Sequence, residues 1–181
     1  MTTETAFVNT PLEENLQKRV ERADQAHDTV KKYTLGSMAI AAVPLPLVDL
    51  AAVTGIQVKM VHSIANQYEV PFSQNLVKSL IAALTGGVLS ATTATPIASL
   101  VKVVPIIGQV AGFIGGAVMF GATSYAIGKV FIEHFESGGT FLDFDPENMK
   151  AHFQKLFEEG QELAMAVSVV INTSNFINEK M

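Results

Sequence analysis

Apolar and small residues recur at steps of three and four through Leu12, Leu16, Val20, Ala23, Ala26, Val30 and Tyr33, with charged side chains between them. That spacing winds onto one face of a 3.6-residue helix and predicts an amphipathic helix lying along a surface, stripe inward. Thr10, Pro11 and Glu13 supply its N-cap, a first-position proline and the acid of a capping box. Residues 1–9 before it read as a polar, mobile arm. Charge then vanishes from Tyr33 to Val48, YTLGSMAIAAVPLPLV. Pro44 and Pro46 remove two amide donors and push their predecessors toward extended backbone, so the expectation is a buried or re-entrant hairpin rather than one continuous helix. A second helix is expected from about residue 50 to Tyr68, with Val53, Ile56, Met60, Ile64 and Tyr68 in one stripe and Lys59, Ser63 and Asn66 on another face.

A turn at Val70-Pro71 with Ser73 as cap leads into the least polar part of the chain. No charged residue lies between Lys78 and Lys102, and none between Lys102 and Lys129. Each gap exceeds the roughly 20 residues of a helical bilayer crossing. The first contains Gly86-Gly87, the SATTAT run and Pro96 and is expected to break near its end, while the second is the better span, from about Pro105 to Gly128. Within that span Gly108, Gly112 and Gly116 recur at intervals of four, and Ala117 and Gly121 continue the pattern. Small residues at that period let helix backbones approach closely, so these glycines are the expected helix-association face. Lys102 suits the tip of a hydrophobic hairpin over about 79–128, its stem snorkelling to headgroups. After it SGGTFLDFDPEN is a loop ending in an Asp145-Pro146 helix start, followed by the stripe Phe153, Leu156, Phe157, Gly160, Leu163, Ala164 and Val167. The expected organisation is one helical domain over 10–170, all-α, a bundle with a glycine-rich hydrophobic hairpin and amphipathic terminal helices, ending in a tail at 171–181.

Composition sharpens this picture. Charged residues make up 16% of the chain, against about 25% in ordinary soluble domains. A bilayer, a subunit partner or a greasy ligand has to cover the surface that charge does not. The net charge of -5 argues against nucleic acid as a partner. Cysteine is absent, which removes disulfides and cysteine-ligated zinc. The amino-terminal residues lack a basic stretch followed by an apolar one, so no cleaved secretory signal is expected.

Four segments carry a resemblance. VPLPLVDLAAVTGIQVKMVHSIANQYEVPFS, VKVVPIIGQVAG, SYAIGKVFIEHFESGGT and FDPENMKAHFQKLFEEG, in that order, resemble the bacterial domain of unknown function numbered six-nine-seven over roughly residues 12–165. Its local mark is the element formed by Pro44, Pro46 and Asp49. The resemblance implies a helical, membrane-associated domain, standing alone or following Era-like GTPase domains, without an established chemistry. No phosphate-binding Gly-x-x-x-x-Gly-Lys-Ser/Thr loop is present, so this chain itself is not expected to hydrolyse nucleotide.

Asp49, flanked by VPLPLV and LAAVTG, is costly to bury unless satisfied. It reads as a helix N-cap, a clamp of the hairpin with Pro44 and Pro46, or a partner of Lys59. His27, His62, His134 and His152 are dispersed, and neither Asp24-His27-Asp28 nor Glu133-His134-Glu136 has the spacing of a zinc helix, so no metal and no cofactor is expected. No Gly-x-Ser-x-Gly elbow or nucleophile with a histidine partner is legible, and an enzyme is not expected. The sequence reads as a non-enzymatic protein of the bacterial inner membrane, cytoplasmic side, acting by self-association and partner binding beside a GTPase. The competing readings are a soluble homo-oligomer, cytoplasmic in location, and a carrier or sensor of a lipid-like ligand.

Overall fold

The computed structural model describes residues 11–41, 48–92 and 107–179, and at 41, 48–51, 87–92, 107–114 and 171–179 the backbone alone. Among the described residues there are five helices and no strand: α1 (Pro11–Ala41), α2 (Val48–Gln67), α3 (Gln74–Thr92), α4 (Ile107–Glu136) and α5 (Pro146–Glu179). The all-α bundle expected from the sequence is the observed fold. The arm at 1–9, the cap at Thr10, Pro44, Pro46, Pro96, Lys102 and most of SATTAT lie outside the described residues. Helix α5 continues nine residues past 170, through the stretch read as a tail.

Local chemistry sets the helix ends. Asp145 caps α5, its Oδ1 accepting from the Glu147 amide at 2.9 Å and its Oδ2 from Asn148 Nδ2 at 2.7 Å. Helix α2 closes with the Val70 amide donating to Ala65 carbonyl at 2.8 Å, which forces Glu69 into the left-handed region at φ 57°. Helix α4 closes the same way, the Gly139 amide donating to His134 carbonyl at 3.0 Å around Gly138 at φ 85°. The loop that follows is fixed by Asp143, whose Oδ1 accepts the hydroxyl and the amide of Thr140, each at 2.6 Å. Those two donors, then the nearby His134, hold the Asp143 carboxyl below the usual aspartate range.

Helices α1 and α4 are antiparallel: His27 lies beside Lys129, Val30 against Gly128, Ser37 on Ser124 and Met38 against Gly121. Helices α1 and α2 are antiparallel as well, through Thr29 with Gln67 and Tyr33 with Ser63. So are α4 and α5, through Glu133 with His152, Tyr125 with Glu159 and Met119 with Gln161. Helix α3 turns back along α2 after the 68–73 connection and shares with it a groove lined by Thr54, Val58, His62, Phe72 and Lys78. Helix α4 packs chiefly on α5 and α1 and only marginally on α3. The two helices that would form the hairpin expected over 79–128 touch only marginally among the described residues, and Gly121 and Gly128 of α4 receive side chains from α1 and α5.

Two interiors result. Toward the α4–α5 loop, Phe131 stacks on Phe144 with centroids 4.8 Å apart and meets Phe135 and Phe141 edge-on or tilted. Tyr68 joins this cluster, Arg22 sits 4.8 Å over its ring, and its hydroxyl donates to Glu136 at 3.0 Å. Burial first, then the Glu136 carboxylate, raises its pKa well above the usual phenol value. Toward the other end a smaller cluster consists of Met38, Ala117, Val118 and Ala164. The stripe of α1 is inward only from Ala23 on. Leu12, Leu16 and Val20 are 51–70% exposed because α1 overruns the ends of α2 and α4 at Arg22, and no described helix packs along them there.

The two matching helix ends give a paired test. Glu69→Gly removes a left-handed non-glycine residue and is expected to stabilise the protein by about 1 kcal/mol, whereas Gly138→Ala is expected to destabilise it by about the same amount. Denaturant unfolding followed by circular dichroism measures both, and effects of the same sign would contradict the assigned helix ends.

Candidate functional site

Helix α4 carries Gly121 and Gly128 on faces that its neighbours approach. A methyl group added at Gly121 would lie 2.6 Å from Met38 Cγ and 3.4 Å from the Ala164 methyl, and one at Gly128 would lie 3.0 Å or less from both Val30 methyls. A methyl group added at Gly160 on α5 would lie 3.0 Å from the Cα and carbonyl oxygen of Ala122, backbone atoms that cannot swing aside as a side chain can. The absence of a Cβ there lets the two helices approach closely, which is the physical use of glycine in a tight helix seam. Of the four glycines read as an association face, Gly121 thus contacts its own chain, whereas an added methyl at Gly116 meets no atom of the described residues within 4 Å. Gly108 and Gly112 lie on α4, but their surroundings are outside the described residues. The spacing pattern singled out Gly121 but gave no special weight to Gly128 or Gly160, whose seam roles depend on helices distant in sequence.

Across this seam runs a buried polar contact. Ser37 and Ser124 hydroxyls lie 2.8 Å apart, and Gln57 Nε2 donates to Ser124 Oγ at 3.3 Å. All three residues are at most 5% exposed. This network joins α1, α2 and α4 without an ionised group, the form of polar glue that survives in an apolar setting. Asp49 is the second residue of α2, and its side chain is outside the described residues. Ten residues of helix separate it from Lys59, about 15 Å of rise, which is beyond an ion pair.

The alternating helix directions bring together what the sequence keeps apart. The C-terminal ends of α1, α3 and α5 and the N-terminal ends of α2 and α4 share one end of the bundle. That end is formed by uncharged segments: 33–41, 50–58, 79–92, 107–128 and 163–178. Asp49 is the exception within the helices there, with Glu179 at the tip of α5. On four helices the residue bordering the uncharged segment is a lysine: Lys32, Lys59, Lys78 and Lys129. On α5 it is Glu162, next to Gln161, which reaches Met119 almost three turns beyond Lys129. The uncharged parts measure about 33 Å on α4, 24 Å on α5 and 21 Å on α3 at the helical rise, against a hydrocarbon core of about 30 Å. Their described outer surface carries Leu35, Leu163, Met165, Val169 and Val170, each 48–65% exposed. Among the described residues Gly115–Glu136 is the one stretch with the length and apolarity of a crossing, and 61% of its most apolar window is buried inside the fold. The half of α4 nearer Lys129 is therefore covered in large part by the neighbouring helices. Among the described residues no three His, Asp or Glu side chains gather as metal ligands; His27 faces Lys129, and His152 faces Glu133.

A family model described as Domain of unknown function (DUF697) matches residues 8–162. The chain is similar to "Magnetosome membrane protein 22" of Magnetospirillum gryphiswaldense, with 39% identity over 143 residues, covering 78% of this chain and 73% of that protein. No solved structure matches.

The seam makes its own prediction. Gly160→Leu should cost about 1–3 kcal/mol of stability through overpacking on Ala122, while Gly116→Leu should leave unfolding of the single chain unchanged. Thermal unfolding in mild detergent compares them, and an equal loss in both would contradict the seam.

Proposed function

The chain belongs to the family of the domain of unknown function DUF697, and on that premise we propose that it is a non-enzymatic, membrane-embedded helical protein, inserted from the cytoplasmic side of a bacterial inner membrane by its uncharged end. The observation that carries this reading is the change of composition on all five helices toward one end, with lysine at the border on four of them. Burying ions in hydrocarbon costs several kcal/mol each, whereas lysine at the border can snorkel to phosphates. The border lysines, with Lys18, Arg19, Arg22, Lys31, Lys150 and Lys155 on the same side, agree with a positive cytoplasmic face. The similarity to a protein named for the magnetosome membrane supports the same reading.

Its action is interaction. Gly116, open on α4 and in step with Gly108 and Gly112, supports self-association through that face. The exposed Leu12, Leu16 and Val20 on the overhanging part of α1 support a second contact, with a protein in the cytosol. A separately encoded GTPase is the partner that the family resemblance favours, and scaffolding or membrane remodelling beside it is the role we assign.

The burial of much of Gly115–Glu136 favours a second reading, a soluble homo-oligomer that covers the same apolar end with copies of itself. Carbonate and salt washes of membranes, followed by sizing with and without detergent, separate the two. The membrane reading expects the chain to stay in the carbonate-washed pellet and to need detergent for a monodisperse particle, with Gly112→Leu shifting that particle to smaller size. Recovery as a monodisperse detergent-free particle would overturn it.

A further inference from the structure

A groove of about 420 Å³ runs between α1, α4 and α5 across the level at which charge ends. One part of it is cationic. Lys31 and Lys129 line it there with His27, and Lys129 Nζ lies 2.9 Å from His27 Nε2. His27 Nδ1 is 2.7 Å from the Ala23 carbonyl, so that nitrogen donates and Nε2 accepts from the ammonium. Lys31 pairs with Asp28 at 3.1 Å, and Glu159 accepts from Tyr125 at 2.8 Å. Among the described residues no carboxylate lies within ion-pair distance of Lys129, a half-buried cation whose partner is a neutral ring. The rest of the groove is apolar, lined by Leu35, Met38, Leu163 and Val167. Between the two parts stands Thr34, whose hydroxyl oxygen is buried without a hydrogen-bond partner among the described residues. Such a group is destabilising unless something satisfies it.

We propose that this groove binds an anionic phospholipid, with the phosphate at Lys129 and Lys31, a glycerol-ester oxygen on the Thr34 hydroxyl, and one acyl chain along Leu35, Met38, Leu163 and Val167. The charge pattern selects this occupant over a peptide helix. The cations gather at one end, the orphaned donor stands one helical turn further along α1, and the remainder of the described lining is apolar apart from Tyr125, whose hydroxyl donates to Glu159. From His27 to Met38 the groove runs about 16 Å along α1, half of the about 30 Å hydrocarbon thickness, which is the reach of one leaflet. The proposal rests on the membrane reading given above and adds a specific lipid to it.

The test uses the full chain in nanodiscs of equimolar phosphatidylcholine and phosphatidylglycerol, released into mild detergent, with retained phospholipid counted by native mass spectrometry. The wild type should retain phosphatidylglycerol in preference to phosphatidylcholine. Lys129→Gln should lower that retention about tenfold, the loss of one charge-assisted contact. Thr34→Val, which keeps the side-chain volume and carries the test if Lys129→Gln does not fold, should lower it about fivefold. Lys150→Gln, which removes an exposed lysine paired with Glu147, should change nothing. Equal retention of the two lipids by the wild type, unchanged retention in Lys129→Gln and Thr34→Val, or a lipid-free particle in which a second copy fills the groove would each overturn the proposal. If carbonate-resistant insertion persists alongside any of these, the lipid site alone falls. If the chain does not enter the nanodisc at all, the membrane reading falls with it.

Discussion

An ionised side chain cannot be held away from water without a partner, and in this bundle that constraint is obeyed by position along the axis rather than by burial around it. Ordinary helical bundles alternate charged and apolar residues around each helix, so that every level of the bundle has a solvated outside. Here α1, α2 and α5 obey that rule in the halves nearer the α4–α5 loop and abandon it in the others. The described uncharged stretches of α3 and α4 are not separate hydrophobic modules. They are the upper halves of helices whose lower halves belong to a conventional core.

The interiors differ accordingly. The charged end is filled by Phe131, Phe135, Phe141, Phe144 and Tyr68, large rings whose burial in water-facing surroundings supplies hydrophobic drive. The uncharged end relies on close approach: Gly121 under Met38, Gly128 under Val30, Gly160 on the Ala122 backbone, and the Ser37–Ser124–Gln57 contact between them. Backbone proximity and neutral hydrogen bonds hold helices where the solvent outside is itself apolar and the hydrophobic effect offers no preference for the interior. The seam begins at Gly128, beside the border lysine of α4, while on α5 charge continues alongside it as far as Glu162.

Much of this was legible in the chain. The stripes at Val53 to Tyr68 and Phe153 to Val167, the Asp145-Pro146 start and the ordered family resemblance led to the observed helices and family. Other features were not, because they depend on which helices are neighbours. Two adjacent uncharged runs predict the 79–128 hairpin, yet α4 turns Gly121 toward α1 and α5 and Gly128 toward α1. Leu12, Leu16 and Val20 have helical periodicity, but periodicity carries no information on whether a partner helix extends that far. Lys129 next to His27 joins residues 102 positions apart, and neither stood out in a linear reading. The assembly role of Gly108 and Gly112 and the clamp at Pro44, Pro46 and Asp49 stay as expectations from spacing and residue type.

The account stands or falls on what covers the uncharged end. The chain has no cysteine, so single thiols at Leu35→Cys, Val170→Cys and Leu142→Cys can each carry one bimane label in vesicle-reconstituted protein. Labels at 35 and 170 should be quenched by lipids brominated along their acyl chains and shielded from aqueous iodide, while the label at 142, beside the charged loop, should show the reverse. Iodide reaching all three equally, with no quenching by brominated chains, would contradict the account.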